Sequence, residues 1–300
     1  MTEGAAQIIQ DAFTALRRDV PPLAPPGVER LSVSAIDKFW KCPEQFRRER
    51  YAGERAHIRA SSLFGRAFHS ALAVNFEGKI HTQEDLSLET MRDIAGGSFT
   101  EEKEKEIGRT EIIWDRKEND IQQGVINAVV GTPDGAQPGY MQVLAPTVRP
   151  VAVERWLQVP TRYGFPMVAK VDLEEQSGLI IDYKTGAKKR NQKELDGSVQ
   201  ATGYCWLKAE EGDPAAGFRW HLAVQTKTGK QGYQELTTSR TRGQTDSFER
   251  LLETTARTMR FYWETYGPEG TWPGASEAGW WCSPTGCSFW GTCPWRGGAK

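Results

Sequence analysis

One stretch limits this chain more than any other: VAKVDLEEQSGLIIDYKTG, residues 168–186. Two β-rich runs flank a short turn, and each carries an aspartate among apolar residues. Alternate side chains along a strand share a face, so Asp182 and Lys184 point one way, and Ile181 and Tyr183 the other. A turn centred on Gln176 sets Asp172 opposite Ile180, on the face of Asp182 and within diagonal reach of it. Leu179, Ile180 and Ile181 mark the second strand as buried. Carboxylates that converge beside a buried strand repel each other or take up protons unless a cation joins them. Mg²⁺ or Mn²⁺ suits such oxygen ligands and bridges them to phosphate. It can also activate a bound water, while Lys184 orients that water or neutralises the charge that develops. On spacing alone, a surface hairpin with a weak Asp–Lys pair is the favoured reading, because D-x-K is common by chance.

The rest of the chain supplies context. Residues 5–18 predict a short amphipathic helix, ended by the linker PPLAPPG at 21–27, and a single domain is expected over 30–300. Ser34-Ala-Ile-Asp37 predicts a helix start through a capping-box-like pattern. Cys42-Pro43 interrupts that helix and opens another, because proline suits a first turn. The run LFGRAFHSALAVNF at 63–76 predicts an apolar helix with one histidine, and residues 77–145 a helical insertion. Strands follow from about residue 147, then a helix over SVQATGYCWLKAEE, the strand pair FRWHLAVQT and GYQELTT, and a long helix over 244–266. Helices before, between and after a small sheet give an α/β fold. On the helix over SVQATGYCWLKAEE, Gln200 and Tyr204 share one face and can both reach the end of the hairpin.

Composition excludes several classes. No apolar run is long enough to span a bilayer, and the N-terminus lacks the basic and apolar regions of a secretory signal, so a cytosolic location is expected without membrane contact. No phosphate-binding loop of an ATP-driven motor is present. The net charge of −1 rules out a uniformly basic coat, so nucleic-acid contact would need local patches. Two are visible, Arg47, Arg48 and Arg50, and Lys184, Lys188, Lys189, Arg190 and Lys193, although either also reads as a solvated surface. Of 11 tryptophans, Trp263, Trp272, Trp280, Trp281, Trp290 and Trp295 fall in the last stretch, where packing is favoured over stacking on bases. Five cysteines argue against a disulfide framework. Cys282, Cys287 and Cys293 crowd into the tail at 280–296 in a way that suggests metal ligation, and Cys205 reads as a buried apolar residue.

Taken in order, these residues resemble the RecB-like branch of the PD-(D/E)XK nuclease superfamily. The motifs are Ser32, Ser34, Ile36, Phe39, Cys42, Pro43 and Phe46; Gly65 and His69; Asp172; Asp182, Lys184, Thr185 and Gly186; and Gln200 and Tyr204. The resemblance implies a restriction-endonuclease-like core, a small mixed sheet flanked by helices. It also implies a DNA exonuclease dependent on Mg²⁺ or Mn²⁺, acting on single strands or duplex ends in repair, recombination, or phage- or CRISPR-type DNA processing. His69, Asp172, Asp182 and the Tyr183 carbonyl would hold the metal, with Asp172, Asp182 and Lys184 catalytic and Gln200 and Tyr204 positioning DNA or the lysine. Ala169 replaces a glycine usual in the family, and Glu154 is a further acid near the metal or simply a salt-bridge partner. By similarity to CRISPR-associated exonucleases and AddB-type nuclease subunits, Cys42, Cys282, Cys287 and Cys293 would bind a 4Fe–4S cluster. Zn²⁺ on the four thiolates is the alternative. A helicase, recombinase or CRISPR-adaptation partner is compatible with the missing motor, and the competing reading is a non-catalytic, accessory DNA-binding subunit.

Overall fold

The computed structural model describes residue 23 and residues 25–226, 230–275, 279 and 281–296. The expected helix at 5–18 and Trp280 lie outside the described residues. Among the described residues the first elements are β1 (Leu31–Ser32), α1 (Val33–Lys41) and α2 (Pro43–Arg50). Ser32, not Ser34, caps α1 by accepting from the Ala35 N–H at 3.2 Å. Cys42 then ends α1 and caps α2, its Sγ accepting from Gln45 N at 3.4 Å, with Pro43 in the first turn.

Next come β2 (Ile58–Arg59), α3 (Ala60–Thr82), α4 (Leu88–Glu104), β3 (Ile112–Ile113), α5 (Glu118–Val130) and α6 (Tyr140–Val143). Residues 77–145 are largely helical. Within them, β3 pairs in parallel with β2, which precedes the insertion, a pairing that the sequence pattern does not reveal: two residues a side are too few to show a period. The second half comprises β4 (Pro150–Val159), β5 (Met167–Glu175), β6 (Leu179–Gly186), α7 (Gln192–Asp196), α8 (Val199–Glu210), β7 (Gly217–Gln225), β8 (Gln231–Thr238) and α9 (Arg242–Tyr266). Among the described residues no helix is long and apolar enough to cross a membrane.

The result is a mixed α/β fold whose central mixed sheet is flanked by helices. The main sheet runs β1-β5-β6-β7-β8, with β4 on the other edge of β5. Only β5–β1 and β6–β7 pair in parallel; the remaining pairs are antiparallel. Alternation along β6 and β7 divides the core. Ile180, Trp220, Leu222 and Val224 pack with α1, α8 and α9, whereas Ile181, Tyr183 and Ala223 pack with α3 to α6.

The turn after β5 sits one residue later than expected. Leu173 pairs with Ile181 and Glu174 with Ile180, so the register continues toward Asp172 opposite Asp182, not Ile180. A pairing shift of two residues preserves faces, which is why the error leaves the two aspartates neighbours. Strict alternation does fail one row away. Val153 packs in the α3 core, yet Arg155 reaches across to Glu174 and Glu211 on the α8 side. Leu173 and Val171 likewise belong to opposite cores. Glu154 lies at the switch in β4, with φ of 51°, a strained value for a non-glycine residue.

Three helices meet tightly at Gly203 of α8, where a Cβ would lie 2.6 Å from Val33 Cγ2 and 2.9 Å from Phe248 Cζ. Gly203→Ala gains about 1 kcal/mol of helix propensity but overpacks the contact at a cost of about 1–3 kcal/mol. The expected outcome is a net loss of stability, measured as a lower urea midpoint with unchanged slope; a stabilised variant would contradict this packing.

Candidate active site

The site lies where β5 and β6 separate. β4 covers one edge of β5 along its length. The other edge carries β6 at Leu173 and Glu174 and β1 at Met167 and Val168. Between these partners, residues 169–172 lack a strand neighbour on that edge, and side chains complete the bonding that buried backbone requires. Asp172 Oδ2 accepts the Tyr183 N–H at 2.9 Å. Tyr204 OH donates to the Lys170 carbonyl at 3.1 Å.

Asp182 sits in this fork with its side chain 4% exposed. Gln200 Nε2 donates to Asp182 Oδ1 at 2.7 Å. Lys184 Nζ lies 2.5 Å from Oδ2, but Oδ2 has no aligned hydrogen bond, so this contact is an ion pair held by charge. His69, on α3, brings Nδ1 to 3.3 Å from Asp172 Oδ2 and packs edge-on against Tyr183 at 5.4 Å. Gly65 lets α3 approach this closely: a Cβ there would meet Thr185 Oγ1 at 3.1 Å. His69, Asp172, Asp182, Tyr183, Lys184, Gln200 and Tyr204 are therefore brought together.

The two carboxylates differ in their electrostatics. Burial pushes Asp172 upward, but the charge and hydrogen bond of His69, helped by the Tyr183 N–H and Lys184, hold it below its ordinary range. Asp182 is raised, first by burial, against the pull of Lys184 and with a further push from Asp172. Burial disfavours the His69 cation, yet Asp172 outweighs it and the imidazole pKa is raised.

The fork opens into a cleft of about 1170 Å³. Its walls include His69, Asp172 and Lys184, together with Glu154 and Lys170, which form an ion pair. Residues that no sequence motif marked also line it: Ser61, Ser62 and Arg66 from α3, and Asp115 and Arg116 from the loop before α5. The spacing Gly65-x-x-x-His69 could have pointed to Arg66, three residues before the histidine and thus on its side of the helix.

Part of the basic reading is overturned. Arg47 and Arg48 are buried. Arg47 binds Glu44 through two nitrogens and the Pro268 carbonyl. Arg48 binds Glu54, contacts Thr292 Oγ1 at 2.7 Å, and stacks 4.5 Å over the Phe289 ring. They fasten the tail to α2 and present no patch to DNA, because the buried Glu44 and the half-buried Glu54 claim their charge; Arg50 remains exposed. Trp272 is fully buried against Phe39 and Phe46, and its backbone N–H donates to Glu44 Oε2 at 2.8 Å. Burial pushes the Cys205 thiol to about 11, the behaviour of a core residue. Burial first, then the neighbouring Cys287, Cys293 and Cys282, push the Cys42 thiol upward. Among the described residues, no three His, Cys, Asp or Glu side chains form a ready-made metal cage, at either the fork or the tail.

A model of the PD-(D/E)XK nuclease superfamily matches residues 30–294. The chain belongs to the PD-(D/E)XK nuclease superfamily. No curated protein matches it. Among solved structures, one from Eubacterium rectale with a provisional exonuclease description is 11% identical, with 77% of this chain and 82% of that chain covered at a TM-score of 0.47. A second, SSO0001, is 14% identical, covering 88% and 95% at a TM-score of 0.27. At such scores neither neighbour bears on function. The superfamily's name-giving D-x-K pattern falls at Asp182 and Lys184, in the fork.

The His69–Asp172 pair gives a pH prediction. A raised histidine pKa means that its stabilisation is full below the unfolded value of about 6.5 and fades as pH rises through the folded value. The lowered Asp172 pKa acts at the other end: its contribution is present above the unfolded value of about 3.9 and is lost as pH falls through the folded one. NMR titration of metal-free protein is expected to place His69 above about 6.5, with Asp172→Asn lowering it. An unmoved midpoint would show that the pair is not electrostatically linked.

Proposed function

We propose that this superfamily member is a Mg²⁺- or Mn²⁺-dependent DNA exonuclease that works at the β5–β6 fork. The observation that carries this reading is the convergence of Asp172, Asp182 and Lys184, braced by His69 and Gln200, at a cleft roomy enough for a strand end. The donor set suits a hard cation. The His69 and Tyr183 contacts of Asp172 both fall on Oδ2, leaving Oδ1 for a metal, and Asp182 Oδ2 has no aligned hydrogen bond. A cation held by these carboxylates, His69 and the Tyr183 carbonyl would supply an activated water and offset charge on the phosphate.

The protein's own groups have separate tasks. Gln200 fixes the rotamer of Asp182, and His69 fixes that of Asp172. Tyr204 holds the β5 backbone away from β6 through the Lys170 carbonyl. Lys184 holds a positive charge at the cleft wall, where an attacked phosphate gathers negative charge. With linear DNA and Mn²⁺, Asp182→Asn and Lys184→Ala are each expected to slow degradation by about 10²–10³-fold, and chelation to stop it. Wild-type rates in Asp182→Asn would sink the assignment.

For the tail, we propose a 4Fe–4S cluster on Cys42, Cys282, Cys287 and Cys293 that ties α2 to the C-terminal segment. Burial raises the Cys42 and Cys287 thiols, and the neighbouring cysteines push them further. Bound iron relieves that crowding by taking the thiolates as ligands. Anaerobically purified protein is expected to be brown with broad visible absorption, and Cys287→Ser to lose the colour and melt lower. Colourless protein containing stoichiometric zinc would favour the Zn²⁺ alternative.

A further inference from the structure

A second groove of about 470 Å³ lies past the end of the active-site cleft, between β1, α1, α2 and the far ends of β4 and β5. Its walls include Arg30, Ser32, Ser34, Lys38, Arg50 and Trp156. Trp156 lies directly opposite Lys170 in the β4–β5 register, so the two side chains stand on one face of the sheet. Lys170 belongs to the cleft wall, and Val168, two residues back along β5, belongs to the groove. The two depressions are thus successive stretches of one track. From Asp172 to Val168 the track covers about 13 Å of strand, or about four nucleotides at the stacked spacing of about 3.4 Å.

The chemistry of the groove fits one occupant. Trp156 is 59% exposed, unusual for so large an apolar residue on a strand, and the Arg30 guanidinium lies over its ring, 6.0 Å from the centroid. With Arg30 over one face, such a pair forms a platform for an unpaired base on the other, with the cation near enough for the phosphate. Arg50 stays at this end of the groove because it donates to the Arg30 carbonyl at 2.8 Å. Lys38 is offset by Glu49, which leaves the two arginines as the net positive charge. The volume is that of a small-molecule pocket, enough for one or two nucleotides and too little for a duplex. We infer that this groove binds single-stranded DNA leading to or from the fork, with Trp156 stacking on a base and Arg30 and Arg50 on flanking phosphates. The inference extends the nuclease reading of the same cleft.

The test is metal-free binding of fluorescein-labelled oligothymidylate of about eight nucleotides, read by anisotropy, beside Mn²⁺-dependent degradation by the wild type. Trp156→Ala is expected to weaken binding about tenfold, with Trp156→Phe restoring most of it. Arg30→Ala should reduce the salt dependence by about one phosphate contact. Both side chains are exposed, and unchanged thermal melting verifies that the variants fold. If the wild type degrades DNA but Trp156→Ala and Arg30→Ala bind as it does, the groove assignment is wrong and the nuclease reading stands. If no DNA is degraded yet binding depends on Trp156, the groove stands and the nuclease reading falls. Tighter binding of duplex, or of an RNA strand, overturns the single-stranded DNA assignment.

Discussion

The parting of β5 and β6 governs this molecule. Two neighbouring strands that stop pairing inside a fold leave backbone donors and acceptors without partners, and buried ones must be satisfied. Here the Asp172 carboxylate takes the Tyr183 N–H, and the Tyr204 hydroxyl takes the Lys170 carbonyl. The groups that mend the sheet are also those that define the site. An uninterrupted β5–β6 ladder would have no place for Asp182 between Gln200 and Lys184, and no opening to the cleft.

Holding the fork open takes support from both sides. On one side α8 supplies Gln200 and Tyr204, set at its depth by the tight meeting of Gly203 with Val33 and Phe248. On the other, the Tyr183 ring is buried against Phe68, Phe76 and Tyr140, and Tyr140 shares a 2.7 Å hydrogen bond with the fully buried His221. Tyr140 belongs to the insertion, so that segment does more than lengthen the chain. It packs the back of the strand that carries Asp182 and Lys184, and the loop before α5 gives the cleft Asp115 and Arg116.

Much of this was legible in the sequence, for physical reasons. Alternation fixed the face of Asp182 and Lys184, and helical spacing placed Gln200 beside Tyr204. The turn was misplaced by one residue because Gln176, Ser177 and Gly178 all suit turns and pattern alone does not choose among them. The switch of faces at Glu154 and Asp172 was invisible, since a strand pattern assumes strict alternation. Arg47 and Arg48 misled because their partners, Glu44, Pro268 and Thr292, come from their own helix and from distant sequence. The groove around Trp156 was unreadable for the same reason: its walls come from residues 30–50, 156 and 168, and only the fold brings them together.

The clasp between α2 and the tail bears on how the chain assembles. Glu44 receives the backbone N–H of Trp272, 228 residues later, and Trp272 fills the space beside Phe39 and Phe46. Until residue 272 leaves the ribosome, α1 and α2 have made only part of their core and hold two arginines and a carboxylate in a half-built interior. Contacts of such long sequence separation form late and slowly. Helices made early are therefore among the last to be sealed, and a chain stalled before residue 272 would expose the aromatic face on which the finished molecule closes.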